Sequence, residues 1–193
     1  MLIARDEFDR ITPDGAAMNF ARDPVRVVIT AEMLRAAELA TGLVQINRTI
    51  ASPVDTLTGI LGEMVWAQYY FGDWQKHNAL DNKGKSDFAN VEIKASAFRF
   101  NPKLNLLVRQ EYAAKRKPKF YVQVIIDVDP QNPKIVADTN AYICGFATAD
   151  EVANAPLRDE KSKRGGSAGF RTKYIPILKL HPISELPKDL KRI

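Results

Sequence analysis

The chain is organised around residues 86–96, which read Ser86-Asp87-Phe88-Ala89-Asn90-Val91-Glu92-Ile93-Lys94-Ala95-Ser96. An aspartate is followed by a short turn and then by alternating charged and apolar residues, and this period of two predicts a β-strand. Side chains on a strand point alternately to opposite faces, so Glu92 and Lys94 share one face. Together with Asp87, two carboxyl groups and one ammonium group are therefore expected at one edge of a buried strand.

These three side chains have two interpretations. Carboxylates can hold a hard divalent cation and an amine can lie beside an attacking water, which is the arrangement that metal-dependent hydrolysis of phosphodiesters requires. A Glu-x-Lys pair is also ordinary on the solvated face of a strand. The pair therefore needs support from other parts of the chain.

A helix is predicted immediately before this stretch. Ser52 and Pro53 form a strong helix start, apolar residues follow at spacings of three and four, and Gly72 is a plausible stop. Glu63 lies in the middle of the helix, close to Gly59 and Gly62. Each glycine costs a helix interior about 1 kcal/mol relative to alanine, which indicates that another backbone or a ligand comes close. Glu63 is therefore a candidate functional residue, and a solvated helix glutamate is the alternative.

The rest of the chain predicts a mixture of helices and strands. Thr30 is expected to cap a helix over 31–46. Thr148 is expected to cap a short helix that begins directly after it. The segment 73–80 is consistent with a strand. The segment 158–173 is basic and glycine-rich and has no hydrophobic period, which predicts a mobile loop. Further strands are predicted at 25–29, 120–128 and within 135–146, and a short strand or helix at 104–108. The expected domains are an N-terminal helical or irregular extension packed on the core, residues 1–50, and a single globular unit, residues 51–193.

Composition limits the class of protein. The chain has 193 residues, of which 46% are hydrophobic and 26% charged, as in globular domains. The net charge of +5 favours a polyanionic partner. No apolar segment is long enough to span a bilayer, and the N-terminus lacks a secretory signal pattern, so a cytoplasmic protein without a membrane partner is expected.

Cysteine and histidine are scarce. Cys144 is the single cysteine, which excludes an internal disulfide, fits a reducing compartment and predicts a core position. The two histidines, His77 and His181, are far apart in sequence, which argues against a zinc site of clustered His and Cys. Any metal is therefore expected to be held by oxygen.

Two basic segments, 109–119 and 158–173, can bind the phosphates of DNA, because basic side chains release counterions and aromatic rings stack on bases. Solvated turns are the alternative. Gln123, in an otherwise apolar strand, is either an accessory site residue or a hydrogen-bonded core glutamine. The candidate nucleic-acid-binding residues are Arg109, Lys115, Arg116, Lys117, Lys119, Lys161, Lys163, Arg164, Arg171 and Lys173.

Three features occur in order: Gly59-Ile60-Leu61-Gly62-Glu63 on a helix, Ser86-Asp87, and Glu92-Ile93-Lys94 before a strongly hydrophobic strand. This pattern resembles the PD-(D/E)XK nuclease superfamily over about residues 52–128. Ser86 stands where the superfamily's name has proline, a residue without a chemical role in the site.

The resemblance implies a restriction-endonuclease-like α/β fold with a central mixed β-sheet flanked by helices on both sides. Asp87, Glu92 and the backbone carbonyl of Ile93 would ligate Mg²⁺, for which Mn²⁺ can substitute. Glu63 would join through the water shell or a second ion, and Lys94 would position and help deprotonate the attacking water.

The function expected from this resemblance is a metal-dependent DNA endonuclease of restriction or phage type. A Holliday-junction resolvase, which would be a homodimer, and an exonuclease are alternatives within the superfamily. A nucleic-acid-binding module without chemistry, or a structural protein with these charges on its surface, are alternatives outside enzymes.

Overall fold

The structure is a computed structural model, and it describes residues 24–47, 53–77, 86–111, 118–161 and 167–187. These residues form a mixed α/β protein with two β-sheets, which confirms the predicted α/β class. The strands are β1 (Val25–Val28), β2 (Val91–Ala97), β3 (Asn105–Arg109), β4 (Phe120–Ile126), β5 (Asn140–Thr148), β6 (Leu157–Lys161) and β7 (Ser167–Pro176). The helices are α1 (Ala31–Asn47), α2 (Pro53–Phe71) and α3 (Ala149–Asn154), with short 3₁₀ helices at Trp74–Lys76, Ile177–Lys179 and Ile183–Glu185.

The central sheet has the order β1-β5-β4-β2. It is mixed, because β2 and β4 are parallel and the other pairs are antiparallel. The parallel register runs from Val91 opposite Phe120 to Ala97 opposite Ile126. β2 is thus an edge strand, and the stretch predicted to carry the site lies at that edge.

Helices α1 and α2 cover one face of the central sheet. Gly62 of α2 lies against β2, where a Cβ atom would be 2.4 Å from the Cβ of Ala95. The predicted close approach of another backbone is therefore found at Gly62. Gly59 has nothing within 4 Å of its Cβ position.

The opposite face of the central sheet is covered mainly by a second sheet, of order β3-β7-β6, with the six-residue helix α3 nearby. This differs from the expected helices on both sides. Alternate side chains of β4 contribute to two different cores, one on each face of the central sheet. The core between the α-helices and the central sheet includes Leu61, Met64, Ile93, Val122 and Val124. Side chains of the core between the sheets include Leu106, Val108, Tyr121, Ile125 and Ile177.

The prediction of a loop at 158–173 was wrong for 158–161 and 167–173, which belong to β6 and β7. β7 pairs with β3 on one side and with β6 on the other, so distant strands supply the hydrogen bonds that the local pattern did not indicate. Residues 162–166 are outside the described part of the chain.

The prediction of a strand at 73–80 was also wrong for its described part. Residues Trp74–Lys76 form a 3₁₀ helix, and the Asp73 side chain accepts a hydrogen bond from the backbone N–H of Gln75 at 3.0 Å. Residues 78–85, which include the predicted turn at 81–85, are not among the described residues.

The predicted helix caps at Thr30 and Thr148 are confirmed. The hydroxyl of Thr30 accepts from the N–H of Met33 at 3.2 Å, and Thr148 forms a capping box with Glu151. β1 pairs with β5 and α1 packs on α2, so the described part of 1–50 shares its core with the remainder. Among the described residues, no helix is long and apolar enough to cross a membrane.

Candidate active site

A tight turn holds Asp87 beside β2. Phe88 and Val91 exchange both backbone hydrogen bonds around Ala89-Asn90, and Ala89 has a φ of 35°. The carbonyl of Asn90 also accepts the backbone N–H of Phe120 at 3.0 Å, which ties the turn to β4. Sequence reasoning did not single out Asn90, although asparagine before a strand is a turn signal.

A hydrogen bond from the third residue of β2 fixes the Asp87 carboxylate. Its Oδ2 accepts a hydrogen bond from the backbone N–H of Ile93 at 2.7 Å. The N–H and C=O of one strand residue point to the same side, so the carbonyl of Ile93 points to the open edge of β2 where Asp87 lies. Asp87 is buried, with 5% of its surface exposed. The Asp87 carboxylate and the carbonyl of Ile93 therefore lie on the same open side of β2.

Glu92 and Lys94 form an ion pair on the face of β2 opposite α2. The distance from Lys94 Nζ to Glu92 Oε1 is 2.8 Å. The side chain of Glu92 is 2% exposed and that of Lys94 is 21% exposed. Burial of an unpaired carboxylate is costly, so the contact with Lys94 offsets part of the cost of burying Glu92, while part of Lys94 remains accessible to solvent.

Gln123 of β4 lies opposite Lys94 in the parallel register. Its side chain is buried, and its Nε2 donates to the carbonyl of Val124 at 2.9 Å. The register between β4 and β5 shifts between Gln123 and Val124, and such bulges are common next to functional sites. We call Asp87, Glu92, Lys94 and Gln123, together with the carbonyl of Ile93, the β2 edge cluster.

Glu63 belongs to the helix on the other face of the sheet. Its neighbour Gly62 lies against Ala95, whose side chain points toward α2, whereas Glu92 and Lys94 occupy the alternate positions of β2. Glu63 is buried, at 9% exposure. Glu92, Lys94 and Gln123 thus lie on one face of the neighbouring strands β2 and β4, and Asp87 lies at the open edge of β2. Glu63 belongs to the helix that packs on the other face of the sheet.

The oxygen atoms of the β2 edge cluster and of Glu63 are of the type that binds a hard cation. Three buried side-chain oxygens accept no hydrogen bond within the described part of the chain, namely Glu63 Oε2, Glu92 Oε2 and Gln123 Oε1. Glu63 and Glu92 take part in other interactions. Mg²⁺ is bound by oxygen and needs only one or two carboxylates, so the donor types match.

No group of three or more His, Cys, Asp or Glu side chains that could hold a metal ion occurs among the described residues. The ligand set implied by the resemblance has two carboxylates and a backbone carbonyl. Asp87 and Glu92, together with this carbonyl, are therefore the ligand set to be tested.

The predicted nucleic-acid-binding residues have different surroundings. Arg109 ends β3, and its guanidinium lies 3.9 Å from the centre of the Phe170 ring. Arg171 forms an ion pair with Asp159 at 3.2 Å. Lys173 Nζ donates to the carbonyls of Ala153 and Ala155, each at 2.9 Å, at the C-terminus of α3. Lys173 thus has a structural contact with a helix end.

Lys119 is exposed just before β4, and Lys161 is the last residue of β6. The other five candidates lie outside the described residues, namely Lys115, Arg116, Lys117, Lys163 and Arg164.

Cys144 and the two histidines lie outside the cluster. Burial raises the pKa of Cys144 to about 12, so it remains a thiol at neutral pH, and its buried position confirms the predicted core role. His181 Nε2 lies 2.7 Å from Glu151 Oε1. Burial alone raises the pKa of Glu151, but hydrogen bonds from Thr148 and His181 outweigh it and lower the pKa overall. Burial also lowers the pKa of His77.

The fold and the site define a mixed α/β protein with a buried acid–lysine cluster at the edge of its central sheet. Comparison of the chain with family models, with curated proteins and with solved structures found no match. The functional conclusion therefore depends on the residues themselves.

Proposed function

We propose that the protein is a Mg²⁺-dependent DNA endonuclease with a restriction-endonuclease-like fold, in the PD-(D/E)XK superfamily. One observation carries the proposal: the buried Glu92 is paired with Lys94 at 2.8 Å, while Asp87 is fixed by the N–H of the residue between them. Burial of a carboxylate is costly, and two carboxylates at one edge repel each other unless a cation lies near them. A functional site accounts for this arrangement better than a solvated strand face.

Each residue of the β2 edge cluster has a role in this proposal. Asp87, Glu92 and the carbonyl of Ile93 would hold the ion. When bound, Mg²⁺ neutralises phosphate charge and makes a bound water more acidic. Lys94 orients the attacking water and stabilises negative charge that develops on the phosphate. Its partial exposure lets it reach a substrate while its ammonium remains beside Glu92.

Gln123 and Glu63 have supporting roles in this proposal. Gln123 lies opposite Lys94 on the neighbouring strand, and its Oε1 can accept a hydrogen bond from the Lys94 ammonium or from the water that Lys94 orients. Glu63, on the helix behind β2, would act through the water shell of the ion.

The test is cleavage of plasmid, linear, single-stranded and branched DNA in Mg²⁺ or Mn²⁺. We expect at least one of these substrates to be cut, and the Lys94→Ala variant to lose at least about 100-fold of the rate while it remains folded. Lys179→Ala, which removes an exposed lysine outside the cluster, is the matched control and should retain full activity. If all four substrates stay intact, the catalytic proposal fails.

The substrates also separate the alternatives within the superfamily. A junction resolvase should prefer the branched substrate and be dimeric, and an exonuclease should need the free end of the linear one.

A nucleic-acid-binding module without chemistry is the second candidate, because no three-acid group occurs among the described residues. Calorimetric titration with Mg²⁺ distinguishes the two. The nuclease should bind the ion, and Asp87→Asn with Glu92→Gln should abolish that binding. A module without chemistry should show no binding that depends on these two carboxylates.

A further inference from the structure

A row of three residues crosses the second sheet. Thr172 of β7 is opposite Arg109 of β3 on one side and opposite Arg158 of β6 on the other. Directly opposite residues of antiparallel strands point to the same face. The two arginines therefore flank Thr172 on one face of the sheet.

Two aromatic residues extend this row along β7. Phe170 and Tyr174 are each two residues from Thr172, so they share its face. The guanidinium of Arg109 lies 3.9 Å from the centre of the Phe170 ring, and that of Arg158 lies 5.7 Å from the centre of the Tyr174 ring. We call these five residues the arginine–aromatic face.

This face points away from the core. Leu106 and Val108 of β3 are buried between the two sheets, and Arg109 occupies the alternate position. Both arginines of the face are exposed, whereas Thr172 beneath them is only 4% exposed. The ion pair of Asp159 and Arg171 belongs to the alternate positions of β6 and β7, so that carboxylate is not part of the face.

The stacking prepares both arginines to bind phosphate. A ring against one side of a guanidinium restricts its rotation, and the N–H donors lie at the edge of the guanidinium plane and not against the ring. Such a fork matches two oxygens of one phosphate. Phe170 and Tyr174 are four residues apart, which corresponds to about 13 Å along a strand, and the arginines lean toward opposite ends of this span. Each guanidinium is therefore expected to contact a separate phosphate.

We propose that the arginine–aromatic face binds the sugar–phosphate backbone of DNA without reading its sequence, at a surface separate from the β2 edge cluster. The inference rests on the proposed function for the choice of DNA among polyanions. The two rings are already covered by arginines, so they do not serve as platforms for bases, and contacts to phosphate alone carry no sequence information. The positive net charge of the chain favours the same partner.

The test is binding of fluorescently labelled DNA of two unrelated sequences, single-stranded and duplex, measured by anisotropy in EDTA over a range of salt concentrations. Arg109→Ala with Arg158→Ala should weaken binding of both sequences at least about tenfold and reduce the salt dependence by about two released ions. Arg171→Ala is the matched control, because it removes an exposed arginine from the same sheet outside the face. It should change the affinity less than about twofold.

Substitution of both arginines by lysine tests whether positive charge alone is enough for binding or the shape of the guanidinium is also needed. Arg109→Lys with Arg158→Lys should retain the salt dependence but weaken binding, since lysine cannot form the bidentate fork. Thermal unfolding of every variant shows whether the sheet is intact. The proposal is overturned if wild-type protein does not bind DNA, if the alanine pair binds as wild type does, or if Arg171→Ala loses as much affinity as the pair.

The outcomes also separate this inference from the nuclease proposal. Loss of binding in the alanine pair, combined with no cleavage by the wild type, would support the face and reject the nuclease. Lys179→Ala should bind DNA in EDTA as the wild type does, because Lys179 belongs neither to the face nor to the β2 edge cluster.

Discussion

Two of the acid–base pairs in the described part of the chain have nearly equal lengths but different surroundings. Lys94 and Glu92 are 2.8 Å apart at the edge of the central sheet, and His181 and Glu151 are 2.7 Å apart beside α3. The Glu92 side chain is 2% exposed, whereas those of His181 and Glu151 are 42% and 43% exposed. Water therefore screens the second pair more strongly than the first. Pairs of equal length therefore contribute unequally to the free energy of unfolding, and the loss of the buried pair is expected to destabilise the protein more.

Removal of one member of each pair is expected to give the largest difference. Lys94→Ala leaves the buried Glu92 carboxylate without that cation; fully buried pairs broken in this way cost about 3–5 kcal/mol, and partial exposure of Lys94 lowers the expected cost to about 2 kcal/mol. His181→Ala should cost less than about 1 kcal/mol. Urea unfolding at neutral pH measures both.

A second substitution checks the cause. Glu92→Gln added to Lys94→Ala removes the buried charge, so the double variant should be more stable than Lys94→Ala alone. Equal stability of the two would show that the buried charge is not the source of the cost.

The packing of α2 on β2 offers a second way to disturb the buried region. Gly62→Ala places a Cβ 2.4 Å from the Cβ of Ala95, and such overpacking costs about 1–3 kcal/mol. Gly59→Ala meets nothing within 4 Å and should stabilise the helix by about 0.5–1 kcal/mol. Thermal unfolding of both variants shows whether each substitution raises or lowers the stability. A loss of stability in Gly59→Ala equal to that in Gly62→Ala would contradict the close approach at Gly62.

Gln123 offers a further test of the buried region, because it is a buried polar residue beside the Glu92–Lys94 pair. Gln123→Leu removes an amide whose Oε1 accepts no hydrogen bond within the described chain, so stability should change by less than about 1 kcal/mol. Cleavage should decrease, since the group opposite Lys94 is lost. A large loss of stability with unchanged cleavage would instead make Gln123 a core residue, the other interpretation of this position.

The smallest effect is expected at the exposed pair. The pKa of Glu151 is lowered in the folded protein, so its contribution to stability is present above the unfolded pKa, about 4.3, and is lost as pH falls through the folded value. The difference in stability between wild type and Glu151→Gln should therefore shrink as the solution is acidified below about pH 4. Urea unfolding across this range measures it, and a difference that grows toward acid would contradict the sign.

The site could be predicted in part. Alternation from Val91 to Ala95 and the position of Asp87 predicted the strand and the two carboxylates, because a period of two is a local property. The pairing of Lys94 with Gln123 depends on a contact between β2 and β4, which lie far apart along the chain. The placement of Glu63 behind β2 likewise depends on which face of the sheet α2 covers. Those relations are set by packing and have no local signal.

The sequence by itself determined α1, α2, β2, β4 and the cap at Thr148, since side-chain periodicity and capping chemistry act within a few residues. Only the tertiary structure decided that 158–161 and 167–173 are strands, because β7 obtains its hydrogen bonds from β3 and β6. It also decided the different roles of the basic residues. Lys173 contacts the end of α3, Arg171 pairs with Asp159, and Arg109 stacks on Phe170. Charge is visible in a sequence, but its desolvation and its neighbours arise only when the sheets pack.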